Sequence, residues 1–385
     1  MKNLGRLLFA VFFSIQIFST NGLFAIDSLS VNAKISLITC SPGTELYSTF
    51  GHSAIRISDP EHGLDSVYNY GTFDFNTPNF YLKFSQGKLD YMLSRQYWPY
   101  FQYEYIETNR WIKEQDLLLN VHDKQAVYEL LETNYRPENR FYRYDFFYDN
   151  CATRIRDIFK QAMGNRLVFP LEEHTGMSFR NQVEVYTAGL PWSKFGISIA
   201  LGWPYEKEMQ AEEIMFLPDD LLFAFSVAQL DGENLCGTAV EILPSEPEER
   251  DLSMRVVYIF GCVFLILALL CLVPGIKNGL LAKMIGSAIL LVSGLGGILV
   301  LLLWFATDHQ ATKMNPDILW LMPVHLYAAF SHKLPSWYYM LCSLLIVIAG
   351  LMSIFGPLPL YYLPFEAAIL TICLFRYFRK QGISG

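Results

Sequence analysis

The chain has 385 residues, of which 52% are hydrophobic and 17% are charged, and its formal net charge is −8. A mean hydropathy of +0.24 is too apolar for an ordinary soluble protein and predicts a membrane portion. The acidic balance and the lack of a basic block argue against nucleic acid as a partner.

The first 25 residues have the pattern of a secretory signal peptide. Lys2 and Arg6 form a short basic start, and residues 7–18 form an apolar run that is too short for a comfortable membrane span. Ala25 is the candidate cleavage residue. Whether this segment is cleaved or stays as an anchor, we expect the domain that follows it to be exported.

Residues 26–250 have the mixed pattern of an exported α+β domain. Alternation of apolar and polar residues predicts strands over 34–39, 52–58, 65–73 and 115–121. The turn signal at 59–63 joins the second and third of these strands as a hairpin. A helix is expected over 124–135.

Cys151 stands at the predicted start of the best-defined helix. Asn150 can cap this helix and Gly164 can end it. A thiol in this position feels the positive end of the helix dipole, which favours the thiolate. Cys151 also continues the apolar stripe that contains Ile155 and Phe159, so its sulfur is expected to face the packed side of the helix.

His52 opens the second predicted strand directly after Gly51, a small residue that allows another element to approach closely. If the fold brings this histidine beside Cys151, the two complete a nucleophile and base pair. The alternatives are a packing cysteine, since free cysteines are among the most buried residues, and a structural histidine. The helix-start position and the polar Asp149-Asn150 lead-in favour the nucleophile.

The remaining cysteines give no metal or disulfide pattern. Four of the seven lie in apolar segments and are expected to be packing residues (Cys262, Cys271, Cys342 and Cys373). A bridge between Cys40 and Cys236, which would leave Cys151 free, stays open. Without a Cys-x-x-Cys or His-Glu-x-x-His motif, we expect neither a metal nor another cofactor.

Residues 251–385 predict an all-α bundle of about five transmembrane helices. The candidate spans cover 254–273, 285–305, 318–330, 337–355 and 358–378. The third is short and contains Pro323 and His325, so an irregular or re-entrant segment is the alternative there.

The basic residues between the spans predict the orientation of the bundle. Six of them fall on one side, which is cytoplasmic by the positive-inside rule (Lys277, Lys283, Lys333, Arg376, Arg379 and Lys380). The exported domain then lies on the periplasmic side of the inner membrane. Asp308, His309 and Asn315 fall on that side too, and we expect them to contact substrate because ionisable groups at a membrane boundary are often functional. The alternative is an interfacial loop with solvated polar groups.

Four segments carry a resemblance to a known family: 37–43, 48–56, 67–75 and 137–154. The order of a histidine, a hairpin strand and a helix-starting Asn-Cys resembles the permuted papain-like fold of the NlpC type, which the lecithin–retinol acyltransferase family shares. More closely, the chain resembles the Bacteroides-type lipoprotein N-acyltransferase family Lnb, both in the exported domain and in the multi-span tail.

This resemblance implies a cysteine-dependent acyltransferase. It would move an acyl chain from a phospholipid, through a thioester on Cys151, to the N-terminal amine of a diacylated lipoprotein, with His52 as the base. The third residue lies on the strand after the histidine, where Asn69 is best placed and Tyr68 and Asp65 are alternatives.

Three residues beside the two catalytic positions, Asn150, Arg154 and Ser53, are expected to contact substrate. Two other functions remain open, because a fold does not fix a function. One is a thiol amidase or peptidase that acts on cell-wall peptide, and the other is a membrane scaffold with a vestigial site. Five apolar spans favour a lipid substrate, since a wall peptidase needs only a tether.

Overall fold

The computed structural model describes residues 28–172, 176–246, 253–331 and 333–382. The predicted signal peptide and the predicted domain boundary near residue 250 lie outside the described residues. A sheet-containing domain comes first and a helical region with long apolar helices follows it. This order confirms the predicted α+β domain and helical C-terminal bundle, whereas the permuted papain-like connection stays a prediction.

The first domain is built on an antiparallel sheet of seven strands: β1 (Lys34–Cys40), β2 (His52–Asp59), β3 (Leu64–Thr72), β4 (Asp90–Tyr97), β5 (Ile112–Asp116), β6 (Phe141–Arg143) and β10 (Val240–Leu243). Their order across the sheet is β10-β5-β1-β2-β3-β4-β6. Three short strands form a second sheet: β7 (Leu167–Val168), β8 (Gln229–Leu230) and β9 (Glu233–Asn234).

Helices cover both faces of the large sheet, and for this reason β1 is buried along nearly its whole length. The helices of this domain are α1 (Phe80–Ser85), α2 (Trp98–Glu107), α3 (Val121–Tyr135), α4 (Cys151–Met163), α5 (Phe179–Tyr186), α6 (Pro191–Ala200) and α7 (Pro218–Val227). On one face Ile35 and Leu37 pack with α3, α4 and α7. On the other face Ile38 and Cys40 pack against α2.

The strand predicted over 115–121 is wrong in its second half. The strand β5 ends at Asp116, and α3 begins at Val121. The Asn120 side chain accepts a hydrogen bond of 2.9 Å from the Asp123 amide, which caps α3 and starts the helix at Val121. The predicted hairpin of β2 and β3 is confirmed, with Ile55 opposite Tyr68.

The bundle contains α8 (Arg255–Leu270), α9 (Leu280–Phe305), α10 (Val324–Phe330), α11 (Ser336–Phe355) and α12 (Leu363–Lys380). Within the described ranges, three helical segments are long and apolar enough to cross a membrane: Leu280–Phe305, Ser336–Phe355 and Leu360–Lys380. The first predicted span is a shorter apolar helix, α8, of 16 residues.

The third predicted span is irregular: a 3₁₀ turn at Pro316–Leu319 precedes the seven-residue α10. This segment lies directly against α9 at two glycines. A Cβ atom on Gly294 would be 2.2 Å from the Leu326 nitrogen, and one on Gly297 would be 2.2 Å from the Leu321 oxygen. Glycine at these two positions therefore allows the irregular segment to pack closely against α9.

The first domain rests on one end of the bundle. Asn315 donates a hydrogen bond of 2.7 Å to the Ile199 carbonyl, and the Tyr361 hydroxyl donates one of 2.8 Å to Ser198. Trp192 and Phe260 pack edge to face at 5.0 Å. These contacts fix α6 on the bundle, so the two parts of the chain hold a defined relative position.

Candidate functional site

Cys151 is the first residue of α4, and Asn150 fixes that start. The Asn150 Oδ1 atom accepts hydrogen bonds from the amides of Ala152 (2.8 Å) and Thr153 (3.0 Å). In return, Thr153 Oγ1 accepts a hydrogen bond of 2.8 Å from the backbone amide of Asn150, which completes a capping box. The predicted cap is confirmed, and it holds the thiol at the positive end of the helix.

The side-chain amide nitrogen of Asn150 also has hydrogen-bond partners within the protein. Its Nδ2 atom donates to the carbonyls of Phe146 (2.7 Å) and Phe216 (2.8 Å), and the residue is buried. No polar atom of this side chain is left for a substrate. These contacts favour a positioning role for Asn150 over the substrate contact that we predicted.

We expect Asn150→Ala to lower the free energy of unfolding by about 2–4 kcal/mol, since it removes a helix cap and two buried hydrogen bonds. Asn150→Ser keeps a cap acceptor and should lose about half as much. The check is thermal unfolding of the purified protein, with the exposed Asn139→Ala as control. An Asn150→Ala variant that unfolds with the control would contradict the capping role.

His52 forms a hydrogen bond of 2.6 Å from its Nε2 atom to Asn69 Oδ1. An amide oxygen only accepts, so Nε2 carries the proton and Nδ1 is the basic nitrogen of the neutral ring. The other candidates for this position are engaged elsewhere. Tyr68 donates to Glu132, and Asp65 accepts two bonds from Arg56 at 2.8 and 3.0 Å.

A bulge in β3 allows Cys151 to lie close to His52 and Asn69. The register between β3 and β4 shifts between Asn69 and Thr72, and Gly71 adopts φ +89° within the shift. A Cβ atom on Gly71 would lie 3.7 Å from the Cβ of Cys151. The first turn of α4 therefore packs against the irregular end of β3, next to the start of β2 where His52 lies.

The electrostatics of the site favour a charged thiolate. Burial alone would raise the pKa of the Cys151 thiol, but attraction to His52 and a hydrogen bond with it lower that pKa below its usual value. Burial also disfavours the charged form of His52, yet its pKa is raised overall by Cys151 and by the bond to Asn69. Each partner stabilises the charged form of the other.

Backbone amides of β2 and α4 also stabilise the thiolate of Cys151. The amides of Ser53 and Ala152 both form hydrogen bonds with the Cys151 sulfur and lower its pKa. The Ser53 side chain is buried, and its hydroxyl has no partner among the described residues. The residue thus meets the site through its backbone, which sequence reasoning did not specify.

The other two thiols of this domain differ sharply from Cys151. Burial raises the pKa of Cys40 to about 12 and that of Cys236 to about 11. Both are free, so the bridge that we left open does not form in this structure. Neither thiol is activated for nucleophilic chemistry.

Arg154 has protein partners. Its guanidinium donates to Asp149 Oδ2 at 2.8 Å through Nη2 and to Oδ1 through Nε, and it lies 3.7 Å from the centre of the Tyr142 ring. The predicted contact of Arg154 with substrate therefore has no support in its geometry.

The three residues predicted at the outer ends of the spans lie at the junction between the bundle and the first domain. The Asp308 amide donates to the Gln86 carbonyl at 2.8 Å, and His309 lies against Gly87. Asn315 is buried and bonded to Ile199. Across the described residues, none of them forms a hydrogen bond with Cys151 or His52, so a role in substrate handling stays a prediction.

Arg110 is a residue of this site that sequence reasoning missed. Its side chain is buried, donates to the Ser41 carbonyl at 2.7 Å through Nε, and lies 4.6 Å from the centre of the Tyr105 ring. Among the described residues, its Nη2 atom has no hydrogen-bond partner and no carboxylate forms an ion pair with it. Its charge opposes protonation of His52. Nothing in the local sequence pattern marks it.

Comparison with curated proteins and with solved structures gave no match. Two family matches cover most of the chain. Residues 27–182 match the Lnb N-terminal periplasmic domain, and residues 256–381 match the Lnb transmembrane domain. The first match includes β1 to β4 and the start of α4, so it contains His52, Asn69 and Cys151, and the second contains the bundle. The chain therefore belongs to the Lnb family, with a periplasmic domain followed by a transmembrane domain.

Proposed function

We propose that this protein is a membrane-bound lipoprotein N-acyltransferase on the periplasmic side of the inner membrane. The observation that carries the proposal is the contact of Cys151 with His52, and of His52 with Asn69, in a domain that rests on an apolar bundle. A nucleophile, a base and an orienting amide in this order suit acyl transfer through a covalent intermediate.

In the first step, the Cys151 thiolate attacks the ester carbonyl of a phospholipid. A sulfur–carbon bond forms, the ester carbon–oxygen bond breaks, and the departing lysophospholipid oxygen takes the proton that His52 holds. The backbone amides of Ser53 and Ala152, which already face the sulfur, are the candidate donors to the oxyanion. The products are an acyl thioester and a lysophospholipid.

In the second step, the amine of a diacylated lipoprotein attacks the thioester. A carbon–nitrogen bond forms, the carbon–sulfur bond breaks, and His52 takes the amine proton, which regenerates the thiolate and imidazolium pair. A thioester is a workable intermediate because a thiol of low pKa is both a good nucleophile and a good leaving group. Water has to be excluded between the steps, since hydrolysis would compete with the amine.

A continuous series of aromatic rings supports a lipid donor. It starts at Tyr144, which lies beside Gly71 and the thiol, and stacks on Tyr91 at 4.4 Å. Tyr91 contacts Phe73 at 5.3 Å, and Phe73 contacts Phe80 of α1 at 5.5 Å. The series offers an apolar route for an acyl chain, with no charged group among its members.

The far end of this series is suited to the membrane surface. Helix α1 exposes Tyr81, Leu82 and Phe84, which are 81%, 56% and 47% accessible. The helix lies beside the end of α9, because Gln86 accepts the bond from Asp308 there. Aromatic side chains are favoured at the level of lipid headgroups. We therefore propose that a phospholipid enters over α1 and reaches Cys151 along the aromatic series.

The bundle supports five crossings, in spite of its irregular third segment. Thr312 bonds to Leu303 near one end of α9, whereas the Arg376 side chain links the Ala328 carbonyl to Ser287 near the other end. Leu303 and Ser287 are 16 residues apart on α9, or about 24 Å at 1.5 Å per residue. The chain from Thr312 to Ala328 thus traverses most of the bundle.

Mass spectrometry tests the proposal directly. The purified protein is incubated with phospholipid and a synthetic diacylated lipopeptide that has a free N-terminal amine. We expect a lipopeptide that is heavier by one acyl group and an equal amount of lysophospholipid. A cell-wall peptide that is cleaved while the lipopeptide stays unchanged would favour the amidase instead, and no reaction with either would favour the scaffold.

Asn69→Ala is expected to lower turnover about 10-fold to 100-fold, the effect of one lost hydrogen bond to a charged group. Because this bond raises the pKa of His52, the alkaline limb of any pH profile that reports the imidazolium should move to lower pH. Asn69→Asp keeps an acceptor and should restore part of the rate. The exposed Asn76→Ala is the control, and an Asn69→Ala variant as active as that control would remove the orienting role.

A further inference from the structure

The end of the bundle that is remote from the periplasmic domain contains a cavity of about 370 Å³. It lies between α9, α11 and α12. The basic residues Lys283, Arg376, Arg379 and Lys380 line it, and no acidic residue does. Within the described part of the chain, none of the four forms an ion pair with a carboxylate. The cavity therefore concentrates positive charge without a counter-charge from the protein.

The arrangement of these cations is set by α12. Arg376, Arg379 and Lys380 follow a spacing of three and four residues, which places them on one face of the helix. Like charges at this spacing repel one another. Lys283 approaches from α9, so four cations share one small volume. A bound anion would offset the electrostatic repulsion among these four cations in the folded chain.

Two further features prepare the cavity for a polar group. Arg376 is buried, and its guanidinium is held by the Ala328 carbonyl and the Ser287 hydroxyl. Tyr339 is a fully buried lining residue, and its hydroxyl has no hydrogen-bond partner among the described residues. An unpaired buried hydroxyl costs free energy that a ligand oxygen would recover.

Phosphate is the group that fits this set of donors. Guanidinium groups match phosphate oxygens with paired hydrogen bonds, and ammonium groups add charge. The surroundings distinguish a lipid phosphate from a free one. Next to Lys283, α9 exposes Leu280, Leu281 and Met284, which offer an apolar surface for acyl chains. Basic pockets between helices at the cytoplasmic face bind lipid headgroups of this kind.

We propose that this cavity binds the phosphate-bearing headgroup of an anionic phospholipid from the cytoplasmic leaflet. The site lies towards the opposite end of α12 from the periplasmic domain, because its lining residues Ile372 to Lys380 are about 14 to 26 Å along the helix from Leu363. It therefore cannot be the donor site beside Cys151. The assignment to the cytoplasmic leaflet rests on the five-crossing orientation, and binding itself does not depend on the acyltransferase activity.

The test uses the full chain, purified in detergent and stripped of lipid. Thermal unfolding is followed while phosphatidylglycerol, phosphatidylcholine or inorganic phosphate is titrated. We expect phosphatidylglycerol to raise the unfolding midpoint by several degrees, through binding to the folded state alone, and the other two to have little effect. Equal stabilisation by phosphatidylcholine would overturn the proposal, and so would inorganic phosphate that displaces the lipid.

Three single variants complete the test. Lys283→Gln and Arg379→Gln each remove an exposed lining cation, so the fold should survive. Lys333→Gln removes an exposed cation that does not line the cavity and serves as the matched control. The apparent affinity for phosphatidylglycerol should fall at least 10-fold in the first two variants and stay unchanged in the control. An equal response of all three would overturn the site.

Discussion

Cys151→Ser is expected to abolish acyl transfer while the protein still folds and inserts. The hydroxyl replaces the thiol at the same helix start, but it is not ionised by His52 and is a far weaker nucleophile. Loss of one member of a nucleophile and base pair typically lowers turnover by about 10³-fold or more. Folding should be retained because the Asn150 cap, which positions this residue, is untouched.

Intact-mass analysis after incubation with phospholipid alone isolates the first step. The unmodified protein should gain one acyl group that hydroxylamine removes, and Cys151→Ser should gain none. Cys236→Ser is the matched control, since it removes a buried thiol of the same domain whose pKa burial raises to about 11. Undiminished lipoprotein acylation by Cys151→Ser would refute the thioester mechanism.

His52→Ala is expected to block thioester formation and to make the Cys151 thiol harder to ionise. His52 is the main group that lowers the pKa of this thiol, while burial raises it. Removal of the histidine therefore shifts the pKa of Cys151 upward, because the neighbouring positive charge that stabilises the thiolate is lost. At neutral pH a smaller fraction of Cys151 should therefore be thiolate in His52→Ala than in the unmodified protein.

The pH dependence of alkylation by iodoacetamide measures this shift, because only the thiolate reacts. In the unmodified protein the rate should rise with pH through a midpoint below 9.0, the usual value for a cysteine. In His52→Ala the midpoint should move to higher pH. His122→Ala, at an exposed helix start, is the control and should leave the profile unchanged. An unshifted profile in His52→Ala would mean that the pair is not coupled.

Much of the site follows from local sequence patterns. An Asn before a helical stripe predicted both the cap and the position of Cys151, since capping depends only on neighbouring residues. Alternation predicted the hairpin of β2 and β3, and with it the placement of Asn69 on the strand after His52. The sequence left three candidates for the third residue of the site: Asn69, Tyr68 and Asp65. The structure favours Asn69, because Tyr68 and Asp65 form hydrogen bonds with other partners. Those partners could not be predicted from the sequence.

Features that depend on distant residues escaped prediction. The amide of Asn150 contacts the Phe216 carbonyl, 66 residues away, so its lack of free polar atoms was not visible locally. Arg110 and the partners of Arg154 and Asn315 escaped for the same reason. The bulge at Gly71 left one sign in the sequence, since a glycine within a strand pattern often marks a bulge or a close approach.

The sequence by itself determined the order of parts in this protein: a mixed domain with a helix-starting cysteine, then a row of apolar segments with basic residues on one side. Composition, periodicity and capping are properties of neighbouring residues, and for that reason they can be read from the chain. Tertiary structure alone decided that Cys151 meets His52 and that four cations enclose one cavity. Both depend on contacts between elements far apart in sequence, where packing and charge act through space.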